Sequence, residues 1–253
     1  MRGAWQDRGV IQACLNGGRT VDEHPEVPVT PGRLAAEARA ARAAGASSVH
    51  LHPRDAAGRE SLDAAVVEEA VRAVRRACPG LPVGVSTGLW MCDGDAGARQ
   101  AAVEAWGALT VRPDFASVNV GEPGFEELAE VLTGCGVGVE AGVWSEEDAA
   151  RLLAGPHAAS CLRVLVEMIG LPLAEALSTA DRVLGLLARV PVPLLLHGED
   201  ESTWPVLDRA LALGLETRIG LEDTLTDRQG RRVDGNAALV RIAFGRASAL
   251  GRA

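Results

Sequence analysis

Short apolar runs alternate with longer Ala/Leu/Arg/Glu stretches along this chain, and they do so eight times. The runs are Val10–Leu15, Ser47–His52, Leu81–Ser86, Phe115–Val120, Val137–Ala141, Leu162–Glu167, Pro193–His197 and Thr217–Leu221. Runs of this length without helical period predict buried strands. The intervening stretches predict helices over about Pro31–Ala44, Leu62–Ala77, Gly97–Gly107, Phe125–Thr133, Glu146–Ala154, Leu173–Val190, Glu201–Leu213 and Asn236–Ser248. Thr30-Pro31 is a helix start, with Thr as cap and Pro at the first helical position. Ser145 followed by Glu146, Glu147 and Asp148 is another, because acids in a first turn complement the helix dipole. Gly45 and Gly214 stand where helices should stop. Eight β-α units predict a (β/α)8 TIM barrel. A doubly wound open sheet is the alternative, and no G-x-G-x-x-G follows the first run to support it. No low-complexity linker interrupts the pattern, so residues 1–253 are expected to form one domain.

Composition narrows the chemistry. The net charge of −9 argues against a nucleic-acid surface and against acidic membranes. No apolar run approaches the roughly 20 residues of a membrane span, and Met1–Asp7 lacks a signal-peptide core. The five cysteines, Cys14, Cys78, Cys92, Cys135 and Cys161, are scattered and form no CxxC pair, which predicts reduced thiols in a cytoplasm. A homo-oligomer is the expected assembly. All 25 basic residues counted as Lys+Arg are arginine. Without a lysine there is no Schiff base to substrate or pyridoxal phosphate. Carbon–carbon bond chemistry would then need a metal as electron sink.

A TIM barrel carries its active site at the C-terminal ends of its strands, and polar residues end all eight runs. They are Asn16; His50 and His52; Ser86 and Thr87; Ser117 and Asn119; Glu140; Glu167; His197; and Arg218, Glu222 and Asp223. Alternate side chains of a strand share a face, so His50, His52 and Arg54 point one way. Two imidazoles so placed are half of a metal site, and a carboxylate is the expected third ligand. Arg218, Gly220 and Glu222 alternate, which turns Glu222 inward on a strand that closes against the first. Glu167 and Glu140 are rival ligands. Zinc and iron(II) both accept two histidines and a carboxylate. Elsewhere, Arg54 and Asp55 read as a strand-end ion pair. Glu140 reads as a substrate contact or a partner of a ligand histidine, and His197 as a core-edge histidine. His24 and His157 read as surface residues, Trp90, Trp144 and Trp204 as packing residues of which one could instead wall the substrate pocket, and Gly17-Gly18 as a tight turn first and an anion nest second.

The segments Asn16-Gly17-Gly18-Arg19, Val27-Pro28-Val29-Thr30-Pro31, His50-Leu51-His52-Pro53-Arg54-Asp55, Ser86-Thr87-Gly88 and Arg218-Ile219-Gly220-Leu221-Glu222-Asp223 resemble the β-keto acid cleavage enzymes. The resemblance implies a (β/α)8 barrel holding zinc or another divalent metal through His50, His52 and Glu222. It implies a retro-Claisen-like reaction in which a β-keto acid and acetyl-CoA give acetoacetate and a new acyl-CoA. Asp223, oriented by Arg218, would handle a proton, and Ser86, Ser117 and Asn119, with Thr87, would hold the substrate carboxylate. Two positions that contact the ammonium of the aminated family substrate are Arg19 and Gly142 here, so a neutral or anionic group is expected near Arg19. Glu167 and His197 replace small residues, and Glu199 and Asp200 add acids that disfavour a CoA phosphate. These departures keep two rivals in view. One is a metal-dependent, CoA-independent lyase or hydrolase, and the other is a non-catalytic metabolite-binding barrel.

Overall fold

The computed structural model describes residues 11–252. Val10 and the Met1–Asp7 stretch lie outside the described residues. The strands are β1 (Ile11–Cys14), β2 (Ser48–Leu51), β3 (Val83–Ser86), β4 (Phe115–Asn119), β5 (Gly138–Val143), β6 (Arg163–Met168), β7 (Leu194–Gly198) and β8 (Thr217–Ile219). The helices are α1 (Pro31–Ala43), α2 (Ala64–Ala77), α3 (Ala96–Glu104), α4 (Phe125–Gly134), α5 (Glu146–Ala154), α6 (Leu173–Leu186), α7 (Thr203–Leu213) and α8 (Asn236–Ala249). The strands are parallel in the order β7-β6-β5-β4-β3-β2-β1-β8. Leu195 pairs with Glu216, and Leu196 N donates to Glu216 O at 3.0 Å, so β7 meets β8 and the sheet closes. This is the (β/α)8 TIM barrel that the alternation predicts. No helix among the described residues is long and apolar enough to cross a membrane.

The elements form for local reasons. Thr30 accepts from Arg33 N at 3.3 Å ahead of Pro31, and Ser145 accepts from Asp148 N at 3.1 Å. α2 starts at Ala64 because the Asp63 carboxylate takes Ala65 N at 2.9 Å and Val66 N at 3.2 Å. Its buried residues Val67, Ala70, Val71 and Val74 follow the helical period and seat it on the sheet. The outward faces of the strands are apolar and buried under the helices, as at Val49, Leu51, Val83, Val85, Val164 and Val166.

The inward faces carry most of the polar residues, together with Phe115, Leu165 and Leu195, and they form a floor below a mouth. Arg163 of β6 pairs with Glu140 of β5 at 2.5 Å and with Glu216, and Gln12 donates to Glu140 at 3.1 Å. The Phe115 ring fills the space over Gly84, where an added Cβ would lie 1.8 Å from the ring. A cavity of about 470 Å³ at the N-terminal end is lined by Arg75, Arg112, Asp114 and Phe115; Arg75 pairs with Asp114 at 2.9 Å and Arg112 donates to Cys135 O at 2.6 Å. The chemistry therefore gathers at the other end. His24 is not on the surface as expected. It is buried, with Nδ1 accepting from Glu26 N at 3.2 Å and Nε2 donating to Val233 O at 2.8 Å, so it staples two loops far apart in sequence.

Candidate active site

The C-terminal mouth is built from the loops after β1, β2, β7 and β8. Asn16 clamps the backbone of His52, donating to its carbonyl and accepting from its N–H, both at 2.9 Å. Gly17 adopts φ +53, and an added Cβ would lie 2.4 Å from Glu222 Cγ. The tight turn expected there exists, and it lets the backbone approach Glu222 closely. The ligand atoms of His50, His52 and Glu222 all lie within 4.8 Å of one another. Glu222 arrives by a different route from the strand alternation expected. β8 ends at Ile219, and Asp223 N and Thr224 N both fold back to Gly220 O at 3.0 Å. That helical turn places Glu222 beside Arg218, whose Nη2 donates to Glu222 Oε1 at 2.7 Å.

A carboxylate that the sequence did not flag aims His52. Arg54 and Glu60 pair in an antiparallel bridge, which returns Glu60 to His52 Nδ1. With that nitrogen taken, Nε2 faces Glu222 Oε1 at 3.6 Å. Trp90 donates to the other Glu60 oxygen at 3.2 Å, and its ring stacks on His52 at 6.3 Å between centroids. A carboxylate behind a histidine is the usual outer support of a metal ligand. Burial holds His50 neutral, with its pKa lowered to about 3. Burial also opposes charge on His52, but Glu222 and Glu60 outweigh it and raise His52 to about 9. Glu222 is buried as well, yet Arg218, His52 and His50 hold its carboxyl well below the usual range. His50 Nδ1 and Glu222 Oε2 are buried without a hydrogen-bond partner among the described residues. Two imidazoles, one ionised carboxylate and unsatisfied buried atoms fit a divalent cation.

A second cluster adjoins the first. Arg218 donates to Asp223 Oδ1 through Nε at 3.2 Å and Nη2 at 3.0 Å. His197 Nε2 lies 2.8 Å from Glu167 Oε2, and its Nδ1 lies 3.4 Å from Asp223 Oδ1. Burial and Arg218 disfavour charge on His197, yet Asp223 and Glu167 raise its pKa above the ordinary 6.5. Burial is likewise outweighed at Glu167, which His197, Arg218 and Trp144 hold below the ordinary 4.5. His197 is thus part of a charged network, not an isolated core-edge histidine. The cavity over both clusters measures about 330 Å³ and is lined by residues including Arg19, His52, His197, Arg218, Glu222 and Asp223.

The remaining expected residues divide. Ser86, Ser117 and Asn119 stand on adjacent strands β3 and β4, with Ser86 and Ser117 in register. Ser86 Oγ accepts from Gly88 N at 3.3 Å, and Asn119 donates to Glu122 at 2.9 Å. Thr87 is fully buried and spends its hydroxyl on Ser117 O at 2.6 Å, tying β3 to β4. Glu140 is fully buried in the floor with Arg163 and Gln12, so the structure does not bring it to the cavity. Arg19 does line the cavity, but Asp200 at 2.5 Å and Glu23 at 3.2 Å already partner it. Arg54 does not pair with Asp55. It donates to Gly17 O at 2.6 Å and Arg19 O at 2.9 Å, holding the β1 loop, while Asp55 pairs with Arg59. Trp90 and Trp144 wall the mouth and are not packing residues, whereas Trp204 is buried and packs as expected.

Fold and donor set together define a TIM barrel with a metal-competent C-terminal mouth. The sequence profile described as beta-keto acid cleavage enzyme matches residues 9–159 and 175–253, and the chain belongs to that family. A 3-keto-5-aminohexanoate cleavage enzyme of Fusobacterium nucleatum is 38% identical over 80 residues, 31% of this chain and 29% of the relative. A 3-oxoadipate:acetyl-CoA acetyltransferase of Cupriavidus necator is 34% identical over 103 residues, 41% of this chain and 34% of the relative. The matched segments thus span about a third of these relatives or less. Among solved structures, apo ObcA superposes with a TM-score of 0.64 at 21% identity, covering 90% of this chain and 62% of that one. A 3-dehydroquinate dehydratase from Geobacillus kaustophilus gives 0.63 at 11% identity, covering 96% and 92%. At such identities these two bear on the fold alone.

Two outcomes are expected. Glu60→Gln weakens divalent-metal affinity about 10–100-fold, measured by competition with a chelating dye; unchanged affinity would free His52 from dependence on Glu60. In the metal-free protein, His197 contributes stability fully below its ordinary 6.5 and loses it as pH rises through its raised folded value. Glu167 contributes above its ordinary 4.5 and loses it as pH falls. Urea unfolding should therefore show the advantage of wild type over His197→Gln shrinking above pH 6.5, by about 1.4 kcal/mol per unit of pKa difference. An advantage that grows with pH would reverse the assignment.

Proposed function

We propose that this chain is a zinc-dependent enzyme, acting as a homo-oligomer in a cytoplasm, that cleaves a β-keto acid in a retro-Claisen manner with acetyl-CoA as acyl partner. The observation that carries the reading is the adjacency of two sets, His50, His52 and Glu222, and the Arg218–Asp223 pair, of which all but His50 line one cavity. The acetyl-CoA acetyltransferase name of the Cupriavidus necator relative supports the acyl partner. The free cysteines, four of them buried, suit a reducing compartment.

His50, His52 and Glu222 would hold the metal, which supplies a Lewis acid to polarise the keto oxygen. Asp223 Oδ1 takes two hydrogen bonds from Arg218, while Oδ2 is buried without a partner among the described residues. That arrangement leaves Oδ2 for a proton of substrate or water, and Arg218 keeps the carboxylate aimed. Ser86, Ser117 and Asn119 offer hydroxyl and amide donors to the substrate carboxylate. Neither Arg19, already paired with Asp200 and Glu23, nor Gly142 offers a carboxylate of its own to pair with a substrate ammonium. The carboxylates of Glu199 and Asp200 favour a second reading, a CoA-independent lyase or hydrolase on the same residues. Burial, Asp200 and Asp223 raise the Glu199 carboxyl, so acidic groups already crowd that rim.

The zinc-loaded protein should convert a β-keto acid and acetyl-CoA to acetoacetate and a new acyl-CoA, and Asp223→Asn should lower kcat about 100-fold with zinc affinity unchanged. Full activity in Asp223→Asn would remove that residue from the mechanism. Cleavage at the same rate without acetyl-CoA would select the second reading.

A further inference from the structure

Four atoms at the mouth are buried and without a hydrogen-bond partner among the described residues: His50 Nδ1, Glu222 Oε2, Asp223 Oδ2 and His197 Nδ1. The first two belong to the metal-competent set, and the third is accounted for by the proton it would handle. His197 Nδ1 faces Asp223 Oδ1 at 3.4 Å without a geometrically formed hydrogen bond, so its bonding capacity is left unfilled.

The imidazole of His197 is held firmly at its other edge. Nε2 meets Glu167 Oε2 at 2.8 Å, and Glu167 Oε1 accepts from Trp144 Nε1 at 3.3 Å. Glu167 also fills the space that a side chain at Gly142 would need, since an added Cβ would lie 2.5 Å from Oε1. Three residues therefore set the angle of a ring whose second nitrogen is buried and unpartnered, in a side chain that lines the cavity. A buried polar atom so placed calls for a hydrogen-bond partner. We infer that His197 Nδ1 binds an uncharged oxygen, a hydroxyl on the substrate carbon next to the keto group, and that Glu167, Trp144 and Gly142 are positioning residues for it. The inference rests on the β-keto acid reading above.

The surrounding charges select the oxygen. Asp223 lies 3.4 Å from Nδ1, and Glu167 and Glu199 are close by in the same mouth, so a second carboxylate would meet acids. Arg218 and His197 itself oppose an ammonium. A hydroxyl accepts from a protonated nitrogen or donates to a bare one, so it suits either state of the ring. The 3.4 Å to Asp223 also puts this oxygen beside the reacting centre, not at a remote end of the substrate.

The test uses four 3-oxo acids of the form X–CH2–CO–CH2–COO−, with X as methyl, hydroxyl, ammonium or carboxylate. They are 3-oxopentanoate, 4-hydroxy-3-oxobutanoate, 4-amino-3-oxobutanoate and 3-oxopentanedioate. Kd and kcat/KM are measured on zinc-loaded wild type, His197→Leu, Glu167→Gln and Trp144→Phe. The wild type should favour hydroxyl over methyl roughly tenfold in both quantities, the effect of about one hydrogen bond. The ratio should fall to near one in His197→Leu and drop in the two positioning variants, which also decide the matter if His197→Leu does not fold. An unchanged ratio in the variants, a wild type that prefers ammonium or carboxylate, or no binding of any probe would overturn the inference. Binding with the expected ratio but no cleavage would count against the proposed reaction and leave the inference standing.

Discussion

The buried guanidinium of Arg218 holds three carboxylates together at the mouth of the barrel. It meets Glu222 at 2.7 Å, Asp223 at 3.0 Å and Glu167 at 4.0 Å. Without that cation the acids would repel one another in a region of low dielectric, and each would take up a proton or turn outward. Breaking such a buried pair by removing one partner generally costs about 3–5 kcal/mol. The arrangement holds the Glu222 carboxyl well below its usual range on one side and fixes Asp223 Oδ1 with two hydrogen bonds on the other. The metal-competent Glu222 and its neighbour Asp223 therefore share one positive anchor on β8.

The architecture was legible because a barrel repeats its signal. Eight apolar runs separated by helix-length stretches admit few folds, and the caps at Thr30 and Ser145 form as the residue types require. His50, His52 and Glu222 were legible as well, although the alternation argument for Glu222 was wrong in detail: a helical turn after Ile219, not a continued strand, brings it inward. Glu60 was not legible. It lies in a loop with no period, and only the fold-back through the Arg54–Glu60 bridge shows that it reaches His52. His24 was misread for the same reason, since its partner at Val233 is 209 residues away. Strand-end position alone also misled. It set Glu140 beside the substrate or a ligand histidine, whereas Arg163 and Gln12 hold it in the floor.

The two tryptophans show how the rim serves the interior. Trp90 donates to Glu60, which holds His52, and Trp144 donates to Glu167, which holds His197. Each histidine is thus aimed by an acid that an indole steadies, and both line one cavity. Aromatic rings with a polar edge suit such a place, because the ring covers the mouth while the N–H reaches inward.

The central claim is that His50, His52 and Glu222 form one metal centre. X-ray absorption on the zinc-loaded protein addresses it directly, because outer-shell scattering identifies imidazole. The account requires two imidazole nitrogens and a carboxylate oxygen at about 2.0–2.2 Å from zinc, with the imidazole signal lost when His50 and His52 are both replaced by alanine. Zinc held through sulfur, or an imidazole signal that survives the double replacement, would contradict it.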